Sequence, residues 1–258
     1  MLSVDYISFN NKLKNVNPKL KVLFATVSLF VAVLSKSAIV PLLISLIMIY
    51  LTLFKAEVPK KIYLTLLTPV IGFGLFNLVF MGFWYGNTSI ISFEIFNITI
   101  GFKKEGLELG LLVFSRMLGG VTSTLFLALT TPMTELMYVL RDLKLPSIIV
   151  EITMMMYRYI FVLLDELIRM QQAQETRLGY VNLKTSYKSL GMLAVNLFIR
   201  TFEKGEKAYI AMISRCYDGE LKSLTKIENP KLAYTLLVIL FGIFMIILSY
   251  LTKYMKIL

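Results

Sequence analysis

The feature that most constrains this chain is an apolar run of 20 residues, Leu232–Leu251, that contains no charged side chain. A helix of this length crosses the hydrocarbon core of a bilayer, which is about 30 Å thick. Further apolar runs occupy residues 22–34, 38–54, 62–84 and 107–130, and hydrophobic residues make up 57% of the chain. Because a water-soluble core cannot bury so much apolar surface, the sequence predicts an all-α polytopic membrane protein with about five transmembrane helices.

The lysines indicate which side of the membrane each loop faces. Lysines are frequent in residues 12–21 and 55–61, whereas the loop at residues 85–101 contains neither Lys nor Arg. Positively charged loops stay in the cytoplasm, so we predict a cytoplasmic N-terminus and an external loop at 85–101. The net charge of +11 then reflects this bias and attraction to anionic membrane lipid, and we predict no nucleic-acid partner.

Several chemistries are excluded by the residue types that the chain lacks. It contains no histidine and one cysteine, Cys216, so histidine-dependent catalysis, thiolate clusters and imidazole metal sites are ruled out. We find neither a Walker A loop nor a G-x-G-x-x-G motif, and no two carboxylates face each other across two apolar runs. The sequence therefore predicts a subunit that is not an enzyme and that carries no cofactor and no metal site. For Arg116, inside the fourth run, we predict a structural pair or a side chain that extends to the membrane surface, and not a transport role.

Charged residues become frequent from residue 131 onward, although apolar residues still recur at spacings of three and four. This pattern predicts two long amphipathic helices, one from about Pro146 to Gly179 and one from about Ser186 to Cys216. We expect both at the cytoplasmic surface of the membrane. The predicted organisation is therefore N-terminal transmembrane helices at 1–130, a cytoplasmic amphipathic-helix region at 131–228 and a C-terminal transmembrane helix at 229–258.

The two amphipathic helices end in the same way, with a hydroxyl residue, an arginine and one further residue before a nearby glycine. Positive charge and glycine are both common at helix C-termini for structural reasons, so the pattern alone leaves a structural role open. Two matching ends favour a binding role, because arginine offers five donors in a rigid plane to carbonyl or carboxylate groups of a partner. The residues of these two candidate docking motifs are Thr176, Arg177, Leu178, Ser214, Arg215 and Cys216.

Parts of the charged region resemble the transmembrane T component of energy-coupling factor (ECF) transporters, in particular the cobalt-type CbiQ branch. The similar segments are residues 131–136 (TPMTEL), 145–146 (LP), 157–166 (YRYIFVLLDE), 169–170 (RM) and 206–219 (EKAYIAMISRCYDG). Residues 17–21 (NPKLK) resemble the opening of that family less specifically. The paired Ala-Arg-Gly motifs of the family fall on the two candidate docking motifs. Both arginines are kept, whereas the flanking alanines and glycines are replaced.

The resemblance implies a function that composition does not. The chain would be a scaffold in the cell membrane of a prokaryote, joining two cytoplasmic ATP-binding cassette ATPase subunits to a substrate-binding membrane subunit. Residues 131–228 would be its coupling-helix region, called the coupling region below. Arg177 and Arg215 would each dock in one ATPase, and ATP hydrolysis would reorient the substrate-binding subunit, here for cobalt ion uptake. A T component for nickel or a vitamin remains an alternative. A self-contained secondary transporter is a further one, although such a protein would need repeated halves.

The lysine distribution makes a testable prediction about topology. In a chain whose Cys216 is replaced by serine, Asn87→Cys should react with an impermeant thiol reagent in intact cells, and Lys184→Cys should not. Permeabilised cells provide the control, because both cysteines should then react. Labelling of Lys184→Cys alone in intact cells would show that the orientation is inverted.

Overall fold

The computed structural model describes residues 3–85, 89–95, 98–143, 145–218 and 230–252 of the 258-residue chain. Three parts of the sequence-based interpretation lie outside these residues: segments 86–88 and 96–97 of the predicted external loop, residues 219–228 of the predicted coupling region including Gly219, and residue 229. The described helices are α1 (Ser3–Phe9), α2 (Pro18–Leu34), α3 (Ile39–Tyr50), α4 (Lys60–Trp84), α5 (Lys104–Thr130), α6 (Met133–Asp142), α7 (Ser147–Thr176), α8 (Leu183–Ile213) and α9 (Leu232–Leu251).

Two short segments complete the secondary structure of the described chain. A 3₁₀ turn at Lys12–Asn15 precedes α2, and α3 continues into a π-helical turn at Leu51–Lys55. The backbone of Ser89–Ile95 (β1) pairs antiparallel with that of Ile98–Lys103 (β2), in the loop that the sequence places outside the membrane. The sequence analysis did not anticipate this pairing.

The predicted fold class, an all-α polytopic membrane protein, is confirmed. In the described part of the chain, α4, α5, α7 and α9 are long and apolar enough to cross a membrane. The first two apolar runs form shorter helices, because α2 has 17 residues and α3 with its π turn covers Ile39–Lys55. Helix α7 meets the criteria of length and composition for a span, although the sequence places it at the membrane surface. Its surface location stays a prediction.

Helices α7 and α8 lie close to their predicted bounds. The sequence predicts them at about Pro146–Gly179 and Ser186–Cys216, and they are found at Ser147–Thr176 and Leu183–Ile213. Pro146 is the N-cap residue of α7, and a capping box between Asn182 and Thr185 opens α8. Local sequence signals therefore determine where both helices begin.

The chain divides into two compact units by its internal contacts. The membrane unit comprises residues 2–136 and 227–258, and the α7–α8 unit comprises residues 137–226. Helix α5 is central to the membrane unit and packs against α2, α3 and α4. One group of buried side chains, including Ile44, Met48 and Phe126, joins α2, α3, α5 and α9. A second group, including Tyr63 and Leu129, joins α4 and α5 to α1.

Helix α5 packs closely because glycines stand where it meets its neighbours. A Cβ atom added at Gly106 would overlap the carbonyl oxygens of Met81 and Tyr85 at the end of α4. A Cβ atom at Gly119 would lie 2.9 Å from the Cβ of Ala32 in α2 and 3.0 Å from the Pro41 carbonyl oxygen in α3. Small residues at helix contacts let backbones approach closely in membranes, where packing replaces much of the hydrophobic driving force.

Arg116 of α5 makes the structural pair that the sequence favours. Its Nε and Nη2 atoms donate to the carbonyl oxygen of Ser35, at 2.9 and 2.7 Å. Ser35 is the C-cap residue of α2, where the carbonyl groups lack helical partners and carry partial negative charge. A side chain of α5 therefore donates hydrogen bonds to a carbonyl oxygen at the C-terminal end of α2.

The glycine contacts predict opposite effects for two alanine substitutions. Gly106→Ala should lower the free energy of unfolding by about 1–3 kcal/mol, because the neighbouring α4 backbone must move. Gly72→Ala is the matched control, since an added Cβ at Gly72 meets no atom within 4 Å in the described structure. It should be neutral or stabilising by up to about 1 kcal/mol through helix propensity. Thermal unfolding in detergent measures both, and equal stability of the two variants would contradict the packing argument.

Candidate docking site at two arginine-bearing helix ends

The first candidate docking motif follows the last turn of α7. The amide of Arg177 donates to the carbonyl oxygen of Gln174 at 3.2 Å, and the amide of Leu178 donates to that of Glu175 at 3.0 Å. The amide of Gly179 returns to the Gln174 oxygen at 2.9 Å. The side chain of Arg177 is exposed. The helix end is thus closed by its own backbone, and the guanidinium remains accessible.

The second motif repeats this arrangement at the end of α8. The amides of Arg215 and Tyr217 both donate to the carbonyl oxygen of Met212, at 3.0 and 3.1 Å. The amide of Cys216 donates to the Ile213 oxygen at 2.9 Å, and Arg215 is exposed. The backbone hydrogen bonds therefore match those of the first motif position by position. Two helices of different sequence present an arginine with the same local geometry.

The hydroxyl residue before each arginine has the same role in both motifs. The Thr176 hydroxyl donates to the Ala173 carbonyl oxygen at 3.0 Å, and the Ser214 hydroxyl donates to the Ile210 oxygen at 2.9 Å. Thr176 bonds three residues back, whereas Ser214 bonds four residues back to an oxygen that also accepts from its own amide at 3.0 Å. Each hydroxyl therefore adds a donor to the last helical turn. This matching of side chains extends the matching of the backbone.

The residue after each arginine adopts a left-handed backbone conformation. Leu178 has φ 61° and Cys216 has φ 58°. A residue with a Cβ atom pays roughly 1–2 kcal/mol for this conformation, whereas glycine adopts it without that cost. The geometry therefore gives a physical reason for a glycine at the third position of an Ala-Arg-Gly motif. It also shows that this chain forms the same end without one.

A hydrogen-bonded network supports the first motif from the beginning of α8. Gln174 donates through Nε2 to the Ser189 carbonyl oxygen at 3.0 Å and accepts from the Tyr180 hydroxyl at 2.6 Å. The Ser189 hydroxyl donates to the Gly179 carbonyl oxygen at 2.9 Å. The sequence analysis missed these three supporting side chains. The capping-box pattern Asn182-x-x-Thr185 was the available signal that the turn is closed locally.

Polar contacts pair α7 with α8 as antiparallel neighbours along most of their length. Glu166 accepts from Arg200 and from Lys204 Nζ, the latter at 3.2 Å. Further along, the Tyr217 hydroxyl lies 3.4 Å from Oε2 of Glu151, a buried residue near the beginning of α7. Since α8 contains 31 residues at 1.5 Å each, the two arginines lie near opposite ends of the pair, about 45 Å apart. One compact binding pocket cannot contact both.

Large apolar side chains are exposed on α8 as well. Those exposed over at least seven-tenths of their surface are Leu183, Tyr187, Phe198 and Phe202. Exposed apolar area of this extent on a helix is typical of a surface that contacts lipid or another protein. Among the described residues, no three His, Cys, Asp or Glu side chains converge as a metal site would require.

These features define a multi-pass helical membrane protein with a separate helical unit that presents two matched arginines. Residues 9–227 match the family model described as the CbiQ cobalt transport protein. The chain therefore belongs to the CbiQ cobalt transport protein family, whose members include cell-membrane transport components of prokaryotes.

Individual relatives agree with this family assignment. An uncharacterized protein of Methanocaldococcus jannaschii is 55% identical over 250 residues, which cover 97% of this chain and 93% of the relative. A putative fused cobalt transport protein CbiMQ of Methanocorpusculum labreanum is 38% identical over 84% of this chain, but the match covers only 36% of that longer protein. The energy-coupling factor transporter transmembrane protein EcfT of Streptococcus equi is 27% identical over 95% of both chains.

The left-handed residues generate a prediction about stability. Leu178→Gly and Cys216→Gly should each raise the free energy of unfolding by about 1 kcal/mol, because glycine removes the cost of positive φ. In a protein of this size that change raises the melting temperature by roughly 2–4 °C. Leu190→Gly, inside α8, is the control and should lower stability by about 1 kcal/mol. Losses at Leu178 or Cys216 as large as that at Leu190 would contradict the assigned conformation.

Proposed function

We propose that this chain is the transmembrane scaffold subunit of an ECF-type ATP-binding cassette importer. Arg177 and Arg215 each dock in one of two cytoplasmic ATPase subunits. When ATP closes the ATPase pair, the α7–α8 unit carries that movement to a separate substrate-binding membrane subunit, which reorients and releases its substrate. The chain itself catalyses no reaction, and the ATPase activity resides in the partner chains.

The observation that carries this proposal is the matched geometry of the two helix ends. Both arginines are exposed, both follow a hydroxyl residue bonded to the last turn, and both precede a left-handed residue. A merely dipole-stabilising arginine requires none of this matching. The separation of about 45 Å along α8 supports one partner at each end. Two equivalent partners, such as a pair of ATPases, meet that requirement.

The exposed apolar side chains support a membrane partner in addition to the ATPases. Helix α8 exposes Phe198 and Phe202 on its surface, and α7 exposes Ile152 and Met156. Water-exposed apolar groups of this number are unfavourable, whereas contact with lipid or with a membrane subunit removes them from water. The fused relative, of which this chain matches about a third, supports a protein that acts together with another transport component.

Cobalt ion is the proposed substrate, since the family model and the fused relative both carry that name. A nickel or vitamin importer is the second candidate, because the chain also aligns over 95% of its length with a general energy-coupling component. Substrate choice resides in the partner subunit in either case. Uptake of labelled Co²⁺, Ni²⁺ and vitamins by cells that express the complete transporter separates these candidates.

Removing the arginines tests the docking function directly. Arg177→Ala and Arg215→Ala should each weaken ATPase binding by about 30-fold to several thousand-fold, because a buried charged contact is worth about 2–5 kcal/mol when one member is truncated. The double variant should lose the ATPases in a pull-down of the membrane complex. Lysine should restore binding only in part, because a point charge cannot reproduce the planar donors of arginine.

Arg169→Ala is the matched control, since Arg169 is an exposed arginine about two turns before the end of α7. It should bind the ATPases as the natural chain does. The sole cysteine offers a second measurement, because Cys216 is exposed beside Arg215. Its reaction with a bulky maleimide before assembly should reduce ATPase capture. Normal assembly and uptake by the Arg177→Ala/Arg215→Ala variant would refute the docking role.

A further inference from the structure

A buried polar corner lies where α5 ends and α6 begins. Thr130 is the last residue of α5, and Pro132 follows shortly after, so the helix cannot continue. The carbonyl oxygen of Thr130 accepts instead from Lys21 Nζ at 3.0 Å and from Asn11 Nδ2 at 3.2 Å. Two side chains from the N-terminal part of the chain thus satisfy the end of the central helix.

Lys21 is buried to a degree that is unusual for lysine. Only 2% of the residue is exposed, and Asn11 and Thr130 beside it are buried as well. Lysine is almost never fully buried unless its charge is paired, because removing an ammonium group from water is costly. The helix end supplies part of the compensation through its partial negative charge. Lys21 also lies one residue before the apolar run at 22–34.

The second compensating charge is Glu135, near the beginning of α6. Burial lowers the pKa of Lys21, and the negative charge of Glu135 opposes that shift. Burial raises the pKa of Glu135, and the charges of Lys21 and Lys14 oppose it. Oε2 of Glu135 is buried and accepts no hydrogen bond from the described residues. The charge of Lys21 therefore acts on a partly buried carboxylate at the beginning of α6.

The location of this corner in the chain distinguishes Lys21 from the other lysines near it. Glu135 and Leu136 are the last residues of the membrane unit before the chain enters the α7–α8 unit. A lysine that only directs membrane orientation needs no burial, and Lys12, Lys14 and Lys61 are exposed. The burial of Lys21 against the end of α5 is therefore a structural feature at the root of the coupling region.

We propose that Lys21 is a positioning residue that joins α2, the end of α5 and the beginning of α6 into one rigid corner. Movement of the coupling region beyond Glu135 then reaches α2 and α5 without being lost in a flexible junction. This inference rests on the proposed function, which assigns the coupling region to ATPase docking. It adds the place at which that movement enters the membrane unit.

Lys21→Met in the full chain, expressed with its transporter partners, tests the corner. The variant removes the charge while keeping the length of the side chain. We expect it to capture ATPases at the natural level, since the docking motifs are unchanged, while substrate uptake falls at least tenfold. Lys61→Met is the matched control, because it makes the same change at an exposed lysine of α4, and uptake should be unchanged. Natural uptake by Lys21→Met would overturn the proposal.

Hydrogen exchange on the purified full chain provides a readout that needs no partner. In Lys21→Met, the amides of residues 136–139, which donate in the first hydrogen-bonded turn of α6, should exchange at least tenfold faster, whereas those of α9 should keep their rate. Unchanged exchange at 136–139 would overturn the proposal. If instead the Arg177→Ala/Arg215→Ala variant retains its ATPases, the proposed function fails, and the exchange measurement still decides whether the corner exists.

Glu135→Gln decides the question if Lys21→Met does not fold. This variant keeps the hydrogen bond from Lys21 to Thr130 and removes only the charge interaction. We expect several-fold lower uptake with bound ATPases, and combining it with Lys21→Met should add little further loss when both fold. If Lys21→Met does not fold, substrate uptake at the natural level by Glu135→Gln would overturn the coupling role.

Discussion

The carbonyl groups at the C-terminal ends of the helices govern how this chain is built. The last turn of every helix leaves carbonyl oxygens without helical partners, and a nonpolar environment makes such groups costly. Four helix ends of this chain show two solutions. At two ends in the membrane unit, a cationic side chain from a different helix reaches the helix end, as Arg116 does at Ser35 and Lys21 does at Thr130. In the α7–α8 unit, each end folds back on itself.

This difference determines what the cations at each end can do. Arg116 and Lys21 are engaged with carbonyl oxygens of the same chain, so they fix helices relative to one another. At α7 and α8 the backbone closes the helix through a left-handed residue, so no side-chain cation is required for that purpose. Arg177 and Arg215 therefore stay exposed next to a rigid end. The proposed docking role requires the second arrangement and is not compatible with the first.

Local signals made the helices predictable. The key contacts between helices could not be predicted, because the two residues of each contact lie far apart in the sequence. Apolar runs located α4, α5 and α9, and helical periodicity located the bounds of α7 and α8, within a few residues, because both signals depend on neighbouring residues. Lys21 and Thr130 lie 109 positions apart, and Arg116 and Ser35 lie 81 apart. A single sequence carries no signal for such pairs. The sequence could therefore assign Lys21 only to the orientation of the chain.

The same distinction holds for the candidate docking site. The two arginines could be found because they recur in matching local patterns and resemble a family motif. The left-handed conformation of Leu178 and Cys216 could not be deduced from those residues, since leucine and cysteine seldom adopt it. It follows from the hydrogen bonds that close each helix end. The hydrogen bonds of the helix end thus impose the left-handed conformation. Leu178 and Cys216 adopt it at a cost in the free energy of folding.

The free energies of the polar contacts indicate which parts of this chain can transmit movement as a rigid body. Glu166 with Arg200 and Lys204 ties α7 to α8, but Arg200 is exposed, and exposed ion pairs contribute about 0–1 kcal/mol. Thermal motion opens a contact of that size readily. Lys21 is only 2% exposed, and its ammonium group donates to the carbonyl oxygen of Thr130 at 3.0 Å. Removing one partner of a buried hydrogen bond that involves a charged group costs roughly 1–3 kcal/mol or more, because the other group stays unpaired away from water. The proposed scaffold therefore has its buried charge at the root of the coupling region, where a proline interrupts the chain between two helices. It can accept weaker pairs along α7 and α8, where hydrogen bonds at the turn also join the two helices.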